Sequence, residues 1–98
     1  MRLAELVAQD DARYELNVAR SAASSITKQL SEKVAAAVVE FMTGPLLNGP
    51  RIVGKPLRSP LEPADAARRG SFRILYLIDD DARTVTVTAV AHRSDAYR

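Results

Sequence analysis

Ninety-eight residues with 47 % hydrophobic content fit one small domain with a single modest core and leave no room for a second. There is no cysteine and only one histidine, His92, which excludes disulfide staples, thiolate metal centres and a zinc site built on histidines. The formal net charge of +2 is unevenly spread: residues 1–50 sum to −1, residues 51–98 to +3, and the stretch from Arg51 to Arg73 sets six basic residues against Glu62 and Asp65. A local excess of this kind points to a polyanion or an acidic partner, with a solvated basic face as the plain alternative.

The first residues, "MRLAELVAQDDAR", contain neither a long apolar core nor a small-residue cleavage site, and no apolar run approaches membrane-spanning length. A soluble, cytoplasmic protein without a membrane partner is expected. Residues 1–13 are read as an amino-terminal extension of uncertain order, and 14–98 as the domain. In "YELNVA", Tyr14, Leu16 and Val18 alternate with Glu15 and Asn17, the period of a half-buried strand. "SAASSITKQL" then switches to helical spacing through Ala22, Ile26 and Leu30. Ser31 is placed to cap a second helix whose stripe is Val34, Val38, Phe41 and Met42, with Gly44-Pro45 ending it.

Glycines and prolines punctuate residues 48–63 and allow at most a short edge strand around Ile52 to Arg58. Three closely linked strands follow: Asp65 to Arg69, Phe72 to Ile78 and Thr84 to Ala91, with turns at Gly70 and through Asp79–Asp81. The order predicts an α+β fold, two amino-terminal helices packed on a mainly antiparallel four-stranded sheet. Val85, Val87, Ala89 and Ala91 are expected on one side of the last strand, with Thr88, Val90 and His92 on the other.

A turn centred on Asp79 to Arg83 pairs Ile78 with Thr84, and counting back sets Ala89 opposite Arg73 and His92 opposite Gly70. Arg68, Arg69, Arg73, His92 and Arg93 are thereby expected to converge on one end of the sheet. An unpaired guanidinium is costly to bury, so Arg73 is expected to line a concave basic site rather than a core. With Tyr97 close behind, the set has the inventory for metal-free RNA cleavage. Histidine is the one side chain that ordinarily titrates near neutrality, arginine binds phosphate bidentately, and tyrosine can stack on a base. The same set serves phosphate or acidic-partner binding equally well.

Four segments resemble the RelE branch of the RelE/ParE toxin superfamily: "VARSAASSI", "GKPLRSPLE", "ARRGSFRILYLIDDD" and "AVAHRSDAYR". The Arg-Gly-x-Phe-Arg-x-x-Tyr run, followed by His-Arg-x-x-x-Tyr, is the most specific part, and the wording is similar to mycobacterium-type members. The resemblance implies a RelE-like, microbial-RNase-like fold and the toxin of a type II toxin-antitoxin pair. It further implies a ribosome-dependent endoribonuclease that cuts messenger RNA in the decoding site of the 70S ribosome without a cofactor. A cognate antitoxin would neutralise it, and the complex would bind operator DNA through that antitoxin. By the same resemblance Arg73 matches the strand arginine that stabilises the transition-state phosphate, with Arg68, His92, Arg93 and Tyr97 completing the catalytic set. Arg58 matches a basic residue of the RNA-contacting loop, and Lys55 and Arg69 are expected to bind RNA beside it. Ala66 stands where some members carry a second basic residue, which shifts proton transfer towards His92, and a closing carboxy-terminal helix is expected to be absent. A ParE-like gyrase inhibitor and a non-catalytic binding module are the alternatives.

Overall fold

The computed structural model describes residues 13–57 and 64–92. Residues 1–12 of the amino-terminal extension, Arg58, Arg93 and Tyr97 therefore lie outside the described residues. Within them the elements run β1 (Glu15–Val18), α1 (Arg20–Lys28), α2 (Glu32–Thr43), α3 (Pro45–Asn48), β2 (Lys55–Pro56), β3 (Asp65–Arg69), β4 (Phe72–Asp79) and β5 (Thr84–His92).

The expected α+β class holds, with two longer helices preceding a mostly antiparallel sheet. The sheet has five strands rather than four, in the order β1-β5-β4-β3-β2, and β1 pairs with β5 in parallel. The additional member is β2, two residues at the edge of β3, where Pro56 limits further pairing. Ser31 caps α2, its hydroxyl accepting from the Val34 amide at 3.3 Å. Pro45, which ends α2 as expected, also opens the single turn α3, because a residue lacking an amide proton suits a first helical position. Leu46 and Leu47 from that turn are buried, and the Tyr14 amide donates to the Leu47 carbonyl at 3.1 Å.

One core lies between the helices and one face of the sheet. Ala22, Val38, Phe41, Met42 and Leu46 meet Ala67, Ile74, Tyr76, Val85, Val87 and Val90 there. Strand alternation assigns Arg68, Arg73 and Leu75 to the other face. Gly70 supplies the positive φ, 59°, of the two-residue β3–β4 turn, where a side chain would be strained.

The β4–β5 register differs from the count made on sequence. Asp79, not Ile78, faces Thr84, a difference of one residue. A bulge between Leu75 and Tyr76 then adds a second: Tyr76 faces Val87 but Leu75 faces Ala89, leaving Thr88 outside the ladder. Arg73 consequently faces Ala91 rather than Ala89, and His92 faces Phe72 rather than Gly70. The bulge also reverses the alternation of β5, so that Val90 joins Val85 and Val87 in the core instead of opposing them. Side chains satisfy its polar groups: the Ser21 hydroxyl donates to the Thr88 carbonyl at 3.2 Å, and the Thr88 hydroxyl donates to the Leu75 carbonyl at 3.3 Å.

Candidate functional site

Arg68 and Arg73 face each other across β3 and β4, so their side chains share the sheet face turned away from the helices. Two guanidinium groups on directly opposed residues repel unless an anion sits between or beside them. They line a cleft of about 490 Å³ together with residues 52–57, which contribute Lys55 as a third cation. Arg68 and Lys55 are exposed, whereas Arg73 is half-buried. Arg73 thus does line a concave basic site.

Two strands and one loop fix this arrangement. Lys55 is held by the pairing of β2 with Ala66, and the Leu57 amide donates to the Ala64 carbonyl at 2.8 Å. The loop is anchored from below by Tyr76, fully buried, whose hydroxyl donates to the Pro50 carbonyl at 2.5 Å. Burial pushes the Tyr76 phenol up to about 12, with the Asp65 carboxylate adding to the effect. Gly54 packs directly over this contact: a Cβ there would collide with the Tyr76 hydroxyl and come within 2.7 Å of the Ala66 carbonyl oxygen.

A second anchor joins the loop to the β4–β5 turn. Arg51 forms an ion pair with Asp80, which also accepts a hydrogen bond from the Tyr14 hydroxyl at 2.5 Å. The Tyr14 hydrogen bond, then the Arg51 one, holds the Asp80 carboxyl below the usual carboxylate range. Arg83 completes the group by stacking 4.5 Å above the Tyr14 ring.

The cations expected to converge do so only in part. Arg69 has its guanidinium 4.9 Å from the centroid of the Phe41 ring of α2, on the helix side of the sheet, and lines a separate groove with Lys33, Val34 and Phe72. One position in a strand separates it from Arg68 and reverses its face. His92 ends β5 one residue beyond Ala91, the partner of Arg73, at the register position of Phe72. Sequence reasoning missed the aliphatic share of the lining: Ile52, Pro56 and Leu57 line the same cleft as the arginines. The signal was present as apolar residues interleaved with basic ones in "RIVGKPLR". Among the described residues no cluster of three or more His, Cys, Asp or Glu side chains could hold a metal ion, and no helix is long and apolar enough to cross a membrane.

The model of the ParE toxin of type II toxin-antitoxin systems matches residues 3–97. Toxin RelE of Mycobacterium tuberculosis is 47% identical over 89 residues, covering 91% of this chain and 91% of that protein. Toxin RelG of the same organism is 50% identical over 70 residues, covering 71% of this chain and 80% of that protein. Among solved structures, the toxin-antitoxin complex RelBE2 from Mycobacterium tuberculosis superposes with a TM-score of 0.77 at 43% identity, covering 83% of this chain and 99% of that one. The chain belongs to the RelE/ParE family of toxins of type II toxin-antitoxin systems.

Proposed function

We propose that this toxin is a ribosome-dependent endoribonuclease that cuts messenger RNA in the decoding site and is neutralised by a cognate antitoxin. The observation that carries this reading is the opposed pair Arg68 and Arg73 in a cleft completed by Lys55. Cleavage needs the ribose 2′-oxygen to attack the adjacent phosphorus. A base takes the 2′-hydroxyl proton, cations hold the charge gathering on the phosphate oxygens, and an acid protonates the departing 5′-oxygen. The products are a 2′,3′-cyclic phosphate and a free 5′-hydroxyl. Arg73 is assigned to the phosphate, Arg68 to the same charge from the neighbouring strand, and His92 to proton transfer. Arg93 and Tyr97 complete the catalytic set, while Lys55 and Arg58 contact RNA; Arg69, stacked on Phe41 on the helix side of the sheet, is left out of the site.

The antitoxin assignment draws on the toxin-antitoxin complexes of similar fold, including RelBE2. Binding of that complex to operator DNA through the antitoxin belongs to the same proposal, as does a cytoplasmic site of action. Primer extension on a reporter messenger RNA after induction of the chain, beside an Arg73→Ala control, tests the nuclease reading. Cuts within translated codons that disappear in the control are the expected outcome. Growth arrest without cuts would replace the nuclease with a gyrase inhibitor, the alternative suggested by the ParE name of the matching family model. Neither cuts nor arrest would leave a binding module.

A further inference from the structure

The cleft has two kinds of lining. Arg68, Arg73 and Lys55 supply its cations, while Ile52, Pro56 and Leu57 supply aliphatic surface. Ile52 is 87% exposed, far more than the other large exposed apolar residues, Val18 and Val39. A single exposed aliphatic side chain is ordinary. Here, however, it lines the same cleft as Pro56, Leu57 and the three cations, and no carboxylate, amide or hydroxyl side chain is among the described lining residues. Sites for small ligands commonly join an apolar wall to a few placed charges, and the ligand reflects both halves.

We propose that this wall is a nucleobase seat: one nucleotide of the RNA lies with its phosphate towards Arg68 and Arg73 and the flat face of its base on Ile52, Pro56 and Leu57. The assignment rests on the RNA-cleaving reading and adds a residue-level account of substrate recognition. A phosphate alone would use the cations and leave the wall wet, whereas a nucleotide covers both. Because the side chains of Ile52, Pro56 and Leu57 carry no donor or acceptor, they recognise the face of a base and not its edges. The seat therefore tolerates any of the four bases and rejects a nucleotide that has none.

The test is a titration of the free chain with short oligoribonucleotides, 2′-O-methylated so that they cannot be cut, followed by fluorescence anisotropy. Oligo(A), oligo(C) and oligo(U) are expected to agree within about threefold, and an abasic backbone of equal length to bind about tenfold more weakly, as one aliphatic contact surface is worth. Ile52→Ser and Leu57→Ser should each remove most of that tenfold advantage and leave abasic binding unchanged. Amide spectra of the variants confirm that the fold is retained, Ile52 being exposed.

Equal binding of base-bearing and abasic strands overturns the seat, as do variants that weaken both alike. Failure of the unaltered chain to bind any strand, with binding of an acidic peptide instead, assigns the wall to a protein partner and also overturns it. Failure of the nuclease reading would appear separately, as the absence of cuts in cells.

Discussion

Arg73 is half-buried, faces Arg68 across the ladder and shares its cleft with Lys55, so its charge is directed at one place. Replacing it with Ala should lower single-turnover cleavage on ribosomes by about 10²-fold or more, the usual worth of a charged transition-state contact, with thermal unfolding little changed. His92→Gln should slow the same step while leaving RNA affinity nearly intact, as proton transfer requires. Retained single-turnover rates would remove either residue from the mechanism. Tyr76 acts from below the cleft: Tyr76→Phe loses the hydrogen bond to Pro50 and should cost about 1–2 kcal/mol in denaturant unfolding. The folded state holds the Tyr76 proton up to about 12, above the ordinary phenol value near 10. Between those values the unfolded chain binds fewer protons than the folded one, so stability should fall as pH rises through that window. The Tyr76→Phe variant should lack this component of the decline.

At the scale of elements, loop 49–57 depends on contacts at both ends. Gly54→Ala would force its methyl against the Tyr76 hydroxyl and the Ala66 carbonyl, and should destabilise the fold by about 1–3 kcal/mol while disturbing the cleft. Ser31→Ala should cost about 1 kcal/mol through the lost cap, with cleavage unaffected because α2 lies on the far side of the sheet. Asp80 is titrated by acid in the opposite sense to Tyr76: its lowered carboxyl contributes stability at neutral pH that disappears as pH falls through the carboxylate range.

Periodicity made the helices, their stripes, the Ser31 cap and the hairpin strands legible. It did not reveal the bulge at Thr88, because threonine and alanine in "TVTVTAVA" keep the same alternating texture on either side of it. Arg69 was assigned to the converging cluster because sequence proximity concealed its opposite face. The basic residues of the cleft were visible as charges, whereas its aliphatic wall required the loop to be folded.

Across the whole molecule, the helices cover one sheet face and the basic cleft occupies the other, so the proposed RNA site is built without disturbing the core. Three lining cations predict a salt dependence of single-strand affinity with a log–log slope of about −2. A slope near zero would show that the cleft does not engage the phosphate backbone. The most direct measurement is primer extension on a translated reporter after induction of the unaltered chain and of Arg73→Ala. The nuclease reading predicts cuts inside translated codons for the first and none for the second, with equal amounts of folded protein. Growth arrest with intact messenger RNA would contradict it.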